Sequence, residues 1–264
     1  MKIGVSSYTW TWAVGIEGYI PEKPLDCFDL VQKAKVHGVG VLQIADNPSL
    51  HMISADELDR LARTAKEEGI ELEVGTRGIE PDHLITYLDI ARRTGSKIVR
   101  TITHRIDDAA VSWMKEVLPA YEREGVAIAL ENHDEHGSAD LAGFIERCGS
   151  AALGVCLDTV NSFAALEPPD MVVRTLAPHT LNLHVKDFDV VRVGHQLGFS
   201  IEGRPAGKGR LDIPWTVDWL SSKGRNPNAI LELWTPYAGT VEQTISREDE
   251  WAVESLEYLK SIIF

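Results

Sequence analysis

Val126-Ala127-Ile128-Ala129-Leu130-Glu131-Asn132-His133 is a run of five apolar residues that ends abruptly in a carboxylate, an amide and an imidazole. Three later stretches have the same form. Leu153-Gly154-Val155-Cys156-Leu157 ends in Asp158, Leu181-Asn182-Leu183 leads into His184-Val185-Lys186-Asp187, and Ile230-Leu231 leads into Glu232-Leu233-Trp234. Short, continuously apolar runs are what parallel strands buried on both faces require. Runs of the same kind lie upstream, so eight strands are predicted, at residues 2–6, 40–44, 71–75, 98–101, 127–131, 154–158, 181–186 and 230–233.

Helical periodicity fills the intervals. Phe28, Leu30, Val31 and Ala34 form one apolar stripe, and Leu58, Leu61, Ala62 and Ala65 form the next. Ser54-Ala55-Asp56-Glu57 reads as a capping box and Pro81-Asp82 as a first helical turn, while Gly38, Gly69, Gly95 and Gly125 stop helices just ahead of strands. Sharing 264 residues among eight strands gives about 33 per strand-and-helix unit, the size of a βαβ repeat. The expected architecture is α/β: a single (β/α)8 barrel, with residues 1–264 as one domain. An open doubly wound sheet would carry a Gly-rich phosphate turn after its first strand. That position reads Ser6-Ser7-Tyr8-Thr9-Trp10-Thr11-Trp12 instead.

Composition narrows the functional classes. With 44% apolar and 25% charged residues, the chain can bury a full core and is neither disordered nor a disulfide-stapled scaffold. Twenty-six basic against 40 acidic residues leave a net charge of −14, which repels phosphate backbones and anionic membranes, so no nucleic-acid or membrane partner is expected. Cys27, Cys148 and Cys156 are odd in number, far apart and set in apolar patterns, as buried thiols of a reducing compartment are. No stretch reads as a signal peptide or membrane span, and the expected location is the cytoplasm.

Barrels of this kind keep their chemistry at the C-terminal ends of the strands. The last four strands deliver Glu131, Asp158, His184 and Glu232 there. Three carboxylates at the ends of buried strands repel one another unless a cation joins them. The expected cofactor is therefore one divalent metal ion, Mg²⁺ or Mn²⁺ by the oxygen-rich donor set, with Zn²⁺ and Co²⁺ compatible through the imidazole.

Leu130-Glu131-Asn132-His133, Cys156-Leu157-Asp158-Thr159, Leu183-His184-Val185-Lys186-Asp187, Leu231-Glu232-Leu233 and Gly207-Lys208-Gly209-Arg210-Leu211-Asp212 resemble the xylose isomerase-like TIM-barrel superfamily of sugar phosphate isomerases and epimerases. The resemblance implies metal ligands at Glu131, Asp158, His184 and Glu232, with Glu131 and Glu232 the first candidates for proton transfer. It also implies a homo-oligomer, since dimers and tetramers are common among such proteins. The superfamily's ketose 3-epimerases usually carry a His three residues after the ligand Asp. Here that residue is Asn161, which orients a substrate oxygen but relays no proton.

The expected activity is metal-dependent chemistry on a small keto-sugar or sugar acid through an enediolate, as isomerase or epimerase, or as decarboxylase of a 3-oxo sugar acid. Ser6 to Ala13 and Asn161 resemble the branch that decarboxylates 3-oxo-isoapionate. His133 is a further acid–base candidate, and Lys186, Arg204 and Lys208 are cations for a substrate carboxylate or phosphate. Tyr8, Trp10 and Asn161 are candidate substrate contacts, with Trp10, Trp12, Trp234 and Tyr237 forming an aromatic wall where the first and eighth strands adjoin. Two other classes are weighed against these. An endonuclease IV-like enzyme would need more histidines and a less acidic surface, and a non-catalytic sugar binder would bind without turnover.

Overall fold

Gly4 of the first strand pairs with Ile230 of the last, and that pairing closes a barrel in the computed structural model, which describes residues 1–263. In chain order the strands are β1 (Ile3–Ser6), β2 (Val41–Ile44), β3 (Glu71–Gly75), β4 (Ile98–Thr101), β5 (Ala127–Glu131), β6 (Leu153–Asp158), β7 (Thr180–Val185), β8 (Asp187–Arg192), β9 (Phe199–Arg204) and β10 (Asn228–Leu231). All but β8 and β9 are staves of the barrel, each parallel to its neighbours. This is the (β/α)8 barrel expected from the apolar runs, with strand limits displaced by at most two residues.

After a four-residue helical turn, α1 (Thr11–Val14), one helix follows each stave: α2 (Cys27–Val36), α3 (Ala55–Glu67), α4 (Pro81–Thr94), α5 (Asp108–Glu124), α6 (Ser138–Cys148), α7 (Pro169–Leu176), α8 (Ile213–Ser222) and α9 (Val241–Ile262). The apolar stripes face inward: Leu30, Val31 and Ala34 of α2 and Leu58, Leu61 and Ala65 of α3 are buried against the strands. Each leucine so removed from water contributes about 1.5–3 kcal/mol. Helix limits follow local chemistry. Ser54 and Glu57 cap each other's backbone at the start of α3, and Gly95 and Gly125 end α4 and α5 with φ of 75° and 62°, a conformation that side chains with a Cβ disfavour.

The structure departs from the sequence reading in two places. Beyond the eight expected strands there are two more: in the connection after β7, β8 and β9 pair antiparallel from Asp187↔Arg204 to Arg192↔Phe199. The staves are also not continuously apolar. Gln43, Glu73, Arg100 and Asn182 are buried inside the barrel, and Gln43 and Glu73 bond Asn182 across it. Among the described residues no helix is long and apolar enough to cross a membrane, and the three cysteines are free and buried.

Candidate active site

The barrel's register gathers four side chains. Glu131 and Asp158 are the last residues of β5 and β6, His184 pairs with both Asp158 and Ile230, and Glu232 follows β10 with its N–H donating to Val185 O at 3.1 Å. His184 Nδ1 then lies 3.2 Å from Glu131 Oε2, 3.4 Å from Glu232 Oε2 and 3.7 Å from Asp158 Oδ2. All four residues are buried.

Each carboxylate is held differently. Asp158 Oδ1 accepts the N–H groups of Val160 and Asn161, both at 2.8 Å, which turns Oδ2 toward the centre. Asn132 fixes the strand end behind it by accepting Asp158 N–H at 2.8 Å and donating to Asp158 O at 2.9 Å. Glu131 has both oxygens engaged, Oε2 by Arg100 Nε at 2.5 Å and Oε1 by Asn161 Nδ2 at 2.6 Å. Burial alone would raise its pKa, but the Arg100 guanidinium, aided by His184 and Lys186, holds the carboxyl well below the usual range. Glu232 has only Lys186, whose Nζ lies 2.8 Å from Glu232 Oε2 and equally near Asp158 Oδ2. Burial opposes the charge on Lys186, yet Asp158 and Glu232 keep its pKa above the ordinary lysine value.

Asp158 Oδ2, His184 Nδ1 and both oxygens of Glu232 are buried without aligned hydrogen-bond donors or acceptors. Buried polar atoms left unpartnered are costly. These converge, and the donor atoms of Asp158, His184 and Glu232 lie within 4.8 Å of one another. Asp158, Glu232 and the His184 imidazole, with Glu131 alongside, converge on one point where the Lys186 ammonium stands against two of the carboxylates, and this donor set fits a divalent cation.

Above this point opens a cleft of about 300 Å³ lined by Tyr8, Arg77, Arg100, Glu131, His133, Asp134, Asn161, Lys186, Glu232 and Trp234. It adjoins a hollow of about 340 Å³ bounded by Trp12, Ile16 and Trp234. The Tyr8 phenol, desolvated by burial and facing Asp46, is pushed up to about 12 and stays protonated. Trp12 stacks on Tyr237 with ring centres 5.4 Å apart, and Lys186 lies 5.6 Å over Trp234. A larger cavity, about 800 Å³, opens at the other end of the barrel around Glu71, Lys97 and Asn228, away from these groups.

Of the residues singled out from sequence, Glu131, Asp158, His184, Glu232, Lys186, His133, Asn161 and Tyr8 come together. Trp10, Arg204 and Lys208 do not. Trp10 is wholly buried in the outer layer, stacked on His37 and overlain by Lys33. Arg204 lies on the hairpin, paired with Glu202 at 3.2 Å. Lys208 is exposed and pairs with Glu254 at 3.1 Å, because the turn that carries it is folded around a different group. Gly207 and Gly209 donate their N–H groups to Asp187 Oδ2, both at 2.9 Å. A Cβ on Gly209 would collide with the Asp187 carboxylate, so the Gly-Lys-Gly turn can wrap that group only with glycine there. Two further cations that face the cleft beside Lys186, Arg77 and Arg100, are not among the residues picked out from sequence. For Arg100 the signal was a lone charge inside Ile98-Val99-Arg100-Thr101.

The chain belongs to the xylose isomerase-like TIM barrel family, whose model matches residues 28–262. Among curated proteins it is 35% identical over 264 residues to the 3-oxo-isoapionate decarboxylase of Pectobacterium atrosepticum, covering 98% of this chain and 95% of that protein. Among solved structures its fold is similar to D-psicose 3-epimerase from Clostridium cellulolyticum H10 crystallised with D-tagatose (TM-score 0.75, 18% identity, 100% and 99% of the two chains). It is also similar to a xylose isomerase-like TIM barrel protein from Mycobacterium smegmatis in complex with magnesium (TM-score 0.71, 13% identity, 96% of each chain). The chain is an enzyme of this family.

Proposed function

We propose that the protein is a divalent-metal-dependent decarboxylase of a small 3-oxo sugar acid. The observation that carries this reading is the state of Glu131. Epimerisation by two glutamates needs a base on each face of the substrate, and here Arg100 and Asn161 donate to the two oxygens of Glu131, which lowers their basicity without removing the lone pairs a cation needs. Decarboxylation needs no initial base. The likeness to 3-oxo-isoapionate decarboxylase along nearly the whole chain points the same way.

A divalent ion held by Glu131, Asp158, His184 and Glu232 would supply a Lewis acid for the substrate's ketone and adjacent hydroxyl oxygens. The chain's own groups do the rest. Arg77, half exposed at the rim, is free on its outer side to hold the substrate carboxylate. When the bond from the carboxylate to the α-carbon breaks, CO₂ leaves and its electron pair passes into an enediolate. The Lys186 ammonium, on the cleft wall, returns a proton to the α-carbon and recovers one from water. Trp234 and Tyr8 flank the sugar backbone.

The test is a metal-replete screen of keto-sugars and 3-oxo sugar acids in D₂O followed by NMR. Release of CO₂ with one deuterium at the α-carbon is the expected result. Deuterium uptake without mass loss would replace this reading by isomerisation or epimerisation, and binding without either would make the protein a sugar binder.

A further inference from the structure

Beneath the site, a line of buried amides crosses the barrel, and its hydrogen bonds can be assigned from one end. Glu73 is the anchor: burial raises its pKa, but three amide groups, Asn228, Gln43 and Asn182, converge on its carboxylate and favour the charged form, which only accepts. Its Oε1 accepts from Asn228 Nδ2 at 2.8 Å, and its Oε2 accepts from Asn182 Nδ2 at 2.8 Å and Gln43 Nε2 at 3.0 Å. With Asn182 Nδ2 committed to Glu73, Asn182 Oδ1 faces the other way. It accepts the second N–H of Gln43 at 3.1 Å and the thiol of Cys156 at 3.5 Å.

Both amide hydrogens of Gln43 are now used, so the atom it turns toward His184 is its oxygen. Gln43 Oε1 lies 2.7 Å from His184 Nε2. An amide oxygen cannot donate, so His184 must, and Nε2 carries a proton. That leaves Nδ1, buried and without an aligned partner, as the ring atom presented to Glu131, Asp158 and Glu232.

We propose that Gln43, oriented by Glu73 and Asn182, is a positioning residue that sets the ring orientation and tautomer of His184, so that Nδ1 is the nitrogen offered to the metal. The assignment rests on the metal-centre reading above and extends it to residues that touch neither substrate nor ion. No pair of like dipoles meets anywhere along the line, and reversing one amide would set N–H against N–H at Gln43 or carbonyl against carboxylate at Glu73. The line therefore has one arrangement in which every amide and His184 Nε2 are paired, and Nδ1 is the ring atom left over.

Ring-¹⁵N-labelled protein loaded with Zn²⁺, a diamagnetic probe, tests the assignment in the wild type. The expected spectrum shows His184 protonated at Nε2 with the metal shift on Nδ1, and metal on Nε2 would overturn it. Competition titration with Zn²⁺ then compares Gln43→Leu and Glu73→Gln with wild type. Loss of an outer partner of a ligating histidine costs roughly 10- to 100-fold in affinity. That loss is expected for Gln43→Leu, with a smaller one for Glu73→Gln, where the oxygen is retained but no longer aimed. A Gln43→Leu protein that folds and binds Zn²⁺ within threefold of wild type defeats the positioning role while leaving the metal centre intact. A wild type that takes up no Zn²⁺ defeats both.

Discussion

Arg100 Nε stands 2.5 Å from Glu131 Oε2, and the same guanidinium reaches Asp46 Oδ1 at 3.0 Å, so one buried cation on β4 serves two carboxylates. Its side chain is 3% exposed, which makes this a buried ion pair and not a solvated one. Breaking such a pair leaves an uncompensated charge and costs about 3–5 kcal/mol. Arg100→Met should lower unfolding free energy by that order in urea melts. Added divalent cation should restore part of the loss, because it neutralises the same Glu131. A variant as stable as wild type without metal would show that Glu131 does not depend on Arg100.

Lys186 and Glu232 touch each other but should fail differently. Glu232→Gln removes a ligand and a charge, so both metal affinity and turnover should collapse. Lys186→Gln removes a cation that sits 2.8 Å from Asp158 and Glu232, and metal should bind at least as tightly as in wild type. Turnover should still fall by roughly 10²- to 10⁴-fold through loss of the proton donor. Calorimetry paired with kcat separates the two, and a Lys186→Gln enzyme with wild-type kcat would remove Lys186 from the chemistry.

Arg77 is the cation to test for substrate carboxylate. It is 48% exposed and lies 3.2 Å from Asp46, so its removal should alter stability by less than about 1 kcal/mol. A charge-assisted hydrogen bond to substrate is worth about 1.5–3 kcal/mol, so Arg77→Gln should raise KM by roughly ten- to a hundredfold with kcat little changed. An unchanged KM for acid substrates would point to another anchor.

Glu248 gives the fold a pH dependence remote from the site. This α9 carboxyl is buried and accepts the N–H groups of Trp12 at 2.9 Å and Ala13 at 3.1 Å, tying down the loop that carries the aromatic wall. Burial outweighs those two donors and pushes its pKa up to about 8 from an ordinary 4.5. The folded state thus binds the proton more tightly than the unfolded state. The stability this confers is complete below pH 4.5 and is lost as pH rises to 8. Relative to Glu248→Gln, wild-type stability should decline by something on the order of 2–4 kcal/mol between pH 5 and 9. A difference that stays constant with pH would refute the assignment.

Much of this could be read in one dimension. The eight barrel staves, the helix limits and the four residues Glu131, Asp158, His184 and Glu232 all follow from local rules: an apolar run is a buried stave, and the first charged side chain after it stands at the rim. The rules work because each concerns residues adjacent along the chain. They misled at Lys208 and Trp10, where position after a strand suggested the cleft. Packing sent one side chain to Glu254 and the other under Lys33.

What local pattern could not supply was who meets whom across the barrel. Gln43, Glu73, Asn182 and Asn228 come from four strands, and bonded pairs among them lie up to 155 residues apart in sequence, because closure brings β2 and β3 within reach of β7 and β10 across the barrel. Arg100 reaches Glu131 for the same reason, β4 being the neighbour of β5. The chain's order of residues specified the four convergent side chains, since burial and charge are properties of each segment. The partners that aim and restrain them are set by three-dimensional closure, since a hydrogen bond depends on distance in space and not along the sequence.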